Sequence, residues 1–271
     1  MILLDGPLGT QLLARGVPTP IPLWSAWALE HQPEAVRSIH ADYAAAGATV
    51  HTANTFRTKR RQLGPDWEPL ARLAVSICRQ AVPSDHRVAG SIAPLEDCYR
   101  PDLSPADPRS EHRELALLLA EAGCDLLLCE TFPHVGEALI AIEEAANTGV
   151  ETWASFTAGP EADLLRPEQM ADAARAAVDL GARAVLINCV PASATLPFIQ
   201  ALVAAVQVPI GAYANAGHAE ELMGWSPSPQ GPGLYLRHAR TWREAGASIL
   251  GSCCGTGPAH IGALRDLLPP T

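Results

Sequence analysis

The sequence predicts an α/β protein of one architecture, a single (β/α)8 barrel running through residues 1–271. Two observations carry that prediction. A glycine closes a helical pattern and opens a short β-rich run four separate times, at Gly47, Gly123, Gly181 and Gly246. Three further apolar runs lie between these units and a fourth precedes them, so eight strand candidates alternate with helical spacing. A doubly wound open sheet is the competing arrangement. No Gly-x-Gly-x-x-Gly follows the first strand candidate, which disfavours its dinucleotide-binding form.

In chain order, Met1–Asp5 is the first strand candidate. Val36, Ile39 and Tyr43 then mark one face of a helix that ends at Gly47, the residue type that accepts the left-handed turn beyond a helix C-terminus. Thr49–Asn54 and Arg87–Ile92 are the second and third strands. Leu115, Leu118, Leu119 and Ala122 have the i, i+3, i+4, i+7 spacing of an amphipathic helix before Gly123, and Asp125–Glu130 is the fourth strand. Thr152–Thr157 is the fifth, followed by a helical pattern over Pro167–Leu180. Ala184–Cys189, a helix over Thr195–Val206, Pro209–Tyr213 and Ser248–Cys253 complete the series. The runs are largely apolar on both faces, as strands of a covered parallel sheet must be.

Composition narrows the function classes. Of 271 residues, 48% are hydrophobic and 18% charged, enough for an extensive core. A formal net charge of −10 argues against a nucleic-acid partner, and the basic run Arg57-Thr58-Lys59-Arg60-Arg61 reads as a solvated helix start. No segment reaches the ~18 uninterrupted apolar residues of a membrane span. Met1–Asp5 lacks the basic flank and apolar length of a signal peptide, so a cytoplasmic location without membrane contact is expected. The seven cysteines are then reduced thiols, available for metal binding or chemistry rather than for a disulfide framework.

The glycine repeat also has a geometric consequence. Asn54, Glu130 and Cys253 each stand seven residues beyond a helix-ending glycine, and Cys189 stands eight beyond. Equal offsets bring these side chains to the C-terminal ends of the second, fourth, sixth and eighth strands. That is the rim where barrel enzymes keep their active sites.

Cys253-Cys254, within Gly251-Ser-Cys-Cys-Gly255-Thr, is the sharpest feature. Adjacent strand residues face opposite sides, so both thiols reach one ion only if the chain turns there, as Gly255 permits. With Cys189 as the third ligand, three thiolates suit zinc and leave one of its four positions open, as catalytic sites do. Such a centre carries a formal charge of about −1, which makes it a poor Lewis acid but a suitable place to ionise a substrate thiol near neutral pH. The expected chemistry is thiol alkylation. Cys78, Cys98, Cys124 and Cys129 read as small buried hydrophobes.

The chain resembles the homocysteine S-methyltransferase family from end to end. The likeness rests on Leu4-Asp-Gly-Pro-Leu-Gly-Thr10, Pro22-Leu-Trp-Ser25, Thr52-Ala-Asn-Thr-Phe56, Glu130-Thr-Phe-Pro133, Asn188-Cys189, and Gly251-Ser-Cys-Cys-Gly-Thr256 followed by Pro258-Ala-His-Ile261. The resemblance implies zinc on Cys189, Cys253 and Cys254. It further implies that Glu130 and the loop bearing Asp5, Gly6, Gly9 and Thr10 hold the amino-acid head of homocysteine, with Asn54 also contacting substrate. A strand-end carboxylate can accept from an ammonium group, and a glycine-bearing turn into a helix offers backbone donors to a carboxylate.

Two positions depart from the family pattern: Ser252 replaces a second glycine, and Leu186 stands where a glycine is usual. Pro22-Leu-Trp-Ser25 is similar to the branch using S-methylmethionine or S-adenosylmethionine, whereas Thr52–Phe56 is closer to the betaine and folate–cobalamin branches. Trp24 can face a donor cation. The remaining alternatives are a phosphate cradle at Gly255-Thr-Gly257 with buried cysteines, and a non-catalytic zinc-thiolate or redox sensor.

Overall fold

The structure, a computed structural model, describes residues 1–216 and 231–268. Eight strands form one parallel sheet: β1 (Ile2–Leu3), β2 (Val50–Ala53), β3 (Arg87–Ile92), β4 (Leu126–Phe132), β5 (Glu151–Phe156), β6 (Ala184–Pro191), β7 (Ile210–Asn215) and β8 (Ile249–Ser252). Their order is β1-β8-β7-β6-β5-β4-β3-β2. The two ends of that order meet. Leu4 bridges Val50, the Asp5 N–H donates to the Val50 carbonyl at 3.0 Å, and the Thr49 N–H donates to the Leu3 carbonyl at 2.9 Å. These contacts draw the sheet into the expected barrel.

The helices are α1 (Gly9–Ala14), α2 (Trp27–His31), α3 (Pro33–Ala46), α4 (Arg60–Leu63), α5 (Trp67–Ala81), α6 (Arg109–Glu121), α7 (Val135–Ala146), α8 (Pro167–Asp179), α9 (Leu196–Ala205), α10 (Gly231–Glu244) and α11 (Pro258–Leu264). Gly47, Gly123, Gly181 and Gly246 have φ of 109°, 85°, 109° and 115°, the left-handed region in which a side chain is strained. The helix-to-strand reversals therefore recur at fixed spacing and bring the strand ends into line. β4 and β6 extend two residues past their expected ends because each contains a register shift, between Cys129 and Phe132 and between Asn188 and Pro191.

Two apolar layers hold the barrel. Leu4, Val50, Leu126, Leu128, Trp153, Leu186 and Ile249 fill its interior. A larger layer, including Val36, Ile39, Leu115, Leu119, Ile187 and Leu250, seals strands against helices. Each fully buried side chain of this size contributes about 1.5–3 kcal/mol by leaving water. Among the described residues, no helix is long and apolar enough to cross a membrane.

The basic run is only partly a solvated helix start. Arg60 and Arg61 pair with Glu114, Glu96 and Glu111 at the surface. Lys59 instead turns inward, is 2% exposed, and donates to the Pro94 carbonyl. Burial pushes its pKa down to about 7. A lysine stem packs well against apolar neighbours when its ammonium finds an acceptor, so charge pattern alone misplaces it.

Between α3, α5 and β2 lies a group of buried imidazoles. Nε2 of His51 stands 3.0 Å from Nδ1 of His86, and neither ring nitrogen of the fully buried His40 has a partner. Burial, with a contribution from His51, pushes His40 down to about 3. Burial and His86 push His51 down to about 4. Both rings are neutral in the fold but protonate in the unfolded chain below about pH 6.5, so the stability they permit is complete above that pH and lost as pH falls. Urea unfolding across pH 6.5 to 4.5 is expected to show falling stability, and His40→Leu to reduce the slope by about 1 kcal/mol per pH unit. An unaltered slope in the variant would assign the acid sensitivity elsewhere.

Candidate active site

A cavity of about 340 Å³ opens at the C-terminal ends of the strands. Every residue singled out from the sequence lines it: Asp5, Gly6, Gly9, Thr10, Trp24, Asn54, Glu130, Cys189, Cys253 and Cys254. The equal-offset inference thus holds for the four strand-end side chains.

The three thiols meet. Cys253 Sγ lies 3.3 Å from Cys189 Sγ and 3.9 Å from Cys254 Sγ, and the Cys189–Cys254 separation is 3.9 Å. The Cys253 N–H donates to the Ala214 carbonyl at the end of β8, and the chain then turns, with Gly255 at φ 78°. This turn lets consecutive cysteines face one point. Cys189 reaches that point differently. It sits at the β6 register shift with φ 57°, a left-handed conformation uncommon for a residue with a side chain. Such strain persists only where surrounding contacts impose it.

All three thiols sit well above the ordinary thiol range. For Cys189 the hydrogen bond to Cys253 and burial raise it; for Cys254 the contact with Cys189 and burial do so. At Cys253 the pull of Cys189 in the opposite direction is outweighed by Cys254 and burial. The Tyr99 hydroxyl stands 2.8 Å from Cys189 Sγ, and it must be the donor whenever that sulfur is ionised. Asn215, at the end of β7 between the two cysteine-bearing strands, is fully buried, and neither amide atom is paired among the described residues.

The carboxylates form the second half of the mouth. Glu130 accepts from the Ser91 hydroxyl at 2.5 Å and the Tyr213 hydroxyl at 3.0 Å. Burial raises its pKa despite these donors. Asp5 accepts from the Thr52 N–H at 2.9 Å and the Thr52 hydroxyl at 3.0 Å. Its pKa is also raised, chiefly by burial, with the charge of Glu130 acting in the same direction. Next to Glu130, Thr131 takes φ 62° at the β4 register shift. One side chain braces that shift from β6: Asn188 accepts from the Thr131 N–H at 3.1 Å and the Ser155 hydroxyl at 2.8 Å, and donates to the Thr131 hydroxyl at 2.7 Å.

The loop after β1 closes over this floor. A Cβ on Gly6 would lie 2.6 Å from the Tyr43 hydroxyl, and one on Gly9 would strike the Trp24 indole. Thr10 accepts from the Gly255 N–H at 3.3 Å, tying the loop to the cysteine turn. Asn54 accepts from the Ser25 hydroxyl at 2.7 Å and donates to the Ser25 carbonyl at 2.8 Å. Its amide therefore fastens the Trp24 loop, and the residue also lines the cavity.

Gly255-Thr-Gly257 is not a phosphate cradle. Its glycine N–H groups already donate to Thr10 and to His260, and the Gln11 amide fills the space beside Gly257.

Ser252 lines the cavity, and its hydroxyl accepts from Thr256 at 2.8 Å. Leu186 points into the barrel interior, and the room for it comes from Gly211 on β7, where a Cβ would lie 2.7 Å from Leu186 Cδ2. Ser91, Tyr99 and Tyr213 are site residues that the sequence reading missed. Ser91 and Tyr213 stand at the ends of expected strands and were open to the same strand-end logic. Tyr99 lies in an irregular connection with no periodic signal. Cys98, expected in the core, is buried but also lines the cavity.

The fold and mouth define a class: parallel barrels with a three-thiol centre beside paired buried carboxylates. The sequence profile of homocysteine S-methyltransferases matches residues 2–268. Homocysteine S-methyltransferase of Escherichia coli (strain K12) is 30% identical over 98% of this chain and 94% of its own length. Homocysteine S-methyltransferase YbgG of Bacillus subtilis (strain 168) is 32% identical over 96% and 92%. The metallated form of the homocysteine methyltransferase MmuM from Escherichia coli superposes with a TM-score of 0.81 at 28% identity, over 99% of this chain and 96% of that one. The chain belongs to the homocysteine S-methyltransferase family and is a methyltransferase.

The Leu186–Gly211 pair can be checked by a double-mutant cycle. Gly211→Ala is expected to cost about 1–3 kcal/mol by overpacking. In a Leu186→Ala background the same change should cost less by more than about 0.5 kcal/mol. Strictly additive denaturation energies would mean that the two residues do not compensate each other.

Proposed function

We propose that the chain, as one barrel domain over residues 1–271, transfers a methyl group from a sulfonium or ammonium donor to the thiol of L-homocysteine, giving methionine. Cys189, Cys253 and Cys254 would hold one zinc ion. The observation that carries this reading is the sulfur triangle, with edges of 3.3, 3.9 and 3.9 Å. Ligands on a tetrahedral zinc at ~2.3 Å stand about 3.8 Å apart. The three sulfurs lie within 4.8 Å of one another, as ligands of a single ion must. Relatives named homocysteine S-methyltransferase support the acceptor, and the metallated form of MmuM supports a metal. When bound, zinc supplies acidity, so that a thiol arriving at the open position ionises near neutral pH.

The chain's own residues do the rest. Glu130 and Asp5 are two buried acids with no cation between them, and an ammonium group there satisfies both. Gly6, Gly9 and Thr10 present the start of α1, whose first N–H groups have no intrahelical acceptor, to the carboxylate of homocysteine. Asn54 fixes the loop that sets Trp24 over the cavity, and an aromatic face there favours an onium methyl donor. The acceptor sulfur attacks the methyl carbon, a new S–CH3 bond forms, and the pair of the breaking bond returns to the donor heteroatom. Holding the two partners in line supplies much of the acceleration. S-methylmethionine and S-adenosylmethionine are the favoured donors, with betaine the further candidate, and the cavity of about 340 Å³ is of ordinary ligand-pocket size. Seven free thiols suit a reducing compartment such as the cytoplasm.

Because the metal-free thiols are protonated, zinc binding should release about three protons per ion, measured by calorimetry in buffers of different ionisation enthalpy. A value near zero contradicts the thiolate site. Cys253→Ala should lose zinc and methionine formation together, and full activity without metal would overturn the assignment. Glu130→Gln should raise the KM for homocysteine by about tenfold or more and leave zinc content intact.

A further inference from the structure

The three sulfurs of the mouth are short of hydrogen-bond donors. Glu130 accepts from Ser91 and Tyr213, and Asp5 accepts from both the N–H and the hydroxyl of Thr52. Among the described residues, Cys189, Cys253 and Cys254 share one partner other than themselves, the Tyr99 hydroxyl 2.8 Å from Cys189 Sγ. Arg57, the one cation lining the cavity among those residues, packs instead against Phe56, its guanidinium carbon 5.5 Å from the ring centroid. A divalent ion on three thiolates carries a formal charge of about −1, and an acceptor thiolate in the fourth position makes it about −2. Buried charge of that sign is stabilised by donors, and a bond to a charged acceptor is about twice as strong as a neutral one.

Tyr99 is delivered by a connection pinned just ahead of it. Between β3 and α6, Lys59 donates to the Pro94 carbonyl, and Glu137 on α7 accepts from the Leu95 N–H at 2.7 Å. Nε2 of His112 on α6 stands 3.1 Å from the same carboxylate, and Arg61 pairs with Glu96. Lys59, Glu137 and His112 are all buried. Asp97 then accepts from the Tyr99 N–H at 2.8 Å, which fixes the backbone from which the ring enters the cavity. We propose that Tyr99 is a positioning residue of the three-thiol centre: its hydroxyl donates to the Cys189 thiolate, holds that sulfur toward the other two and offsets the charge that arrives with the acceptor thiolate. The three sulfurs are then unequal, and Cys189 is the weakest electron donor to the metal. This rests on the metal-binding part of the function proposed above.

The test compares the parent with Tyr99→Phe, which removes one hydroxyl from a half-buried residue and keeps the ring. Zinc affinity, measured without substrate by competition with a chromophoric chelator, should fall about tenfold to a hundredfold in the variant. In the cobalt(II)-loaded proteins the sulfur-to-metal charge-transfer band should move to longer wavelength, because a sulfur without its donor holds its lone pairs less tightly. A purely structural role for the residue leaves that band in place. Tyr99→Lys, which keeps a donor of similar reach, should retain zinc better than Tyr99→Phe and leave the band at or below the parent's wavelength. An unchanged affinity and unmoved band in Tyr99→Phe would overturn the inference, as would a band shifted to longer wavelength in Tyr99→Lys. A parent that holds neither metal would instead sink the three-thiol reading itself. Neither readout requires methyl transfer, so the two failures are told apart.

Discussion

The mouth of this barrel concentrates acids. Cys189, Cys253, Cys254, Asp5 and Glu130 converge there, all largely withdrawn from water, and Arg57 is the sole cation among the described residues that face them. Ionising several such groups together is unfavourable in a poorly hydrated place: burial raises the two carboxyls, and the contacts among the sulfurs together with burial raise the thiols. Under the proposed function, positive charge would arrive from outside, as a metal between the sulfurs and an ammonium between the carboxylates, and ligand binding would then also balance the charge of this site.

The fold holds these groups in place by departing from regular strand geometry at two points. A regular strand alternates its side chains between barrel interior and helix layer. Glu130 and Cys189 both sit at register shifts, where Thr131 and Cys189 take left-handed backbone conformations. Asn188 bonds across from β6 to the β4 shift, so the carboxylate half and the thiol half of the mouth share one brace. Thr10 similarly joins the β1 loop to the Cys254–Gly255 turn. The site is therefore a set of irregularities locked to one another by buried hydrogen bonds, on a barrel whose regular parts supply the rigidity.

Several neighbouring features follow from packing rather than from chemistry. Leu186 occupies interior space that Gly211 leaves open, which explains how a bulky residue fits at this point of the barrel. Lys59 supports the loop after β3 through the Pro94 carbonyl, and that same connection carries Tyr99 to Cys189. Neither relation joins residues close in sequence.

The sequence by itself determined the barrel, the strand ends and the gathering of thiols, because each depends on short-range periodicity. Glycine at a helix end, apolar runs of strand length and a constant offset to Asn54, Glu130 and Cys253 are local properties of the chain. Only the tertiary structure decided that Ser91 and Tyr213 hold Glu130, that Tyr99 meets Cys189, that Asn54 serves Ser25, and that Lys59 is buried while Arg57 is left without a carboxylate. Those relations join residues tens of positions apart, and their energies come from burial and pairing, which exist only after distant strands have been brought side by side.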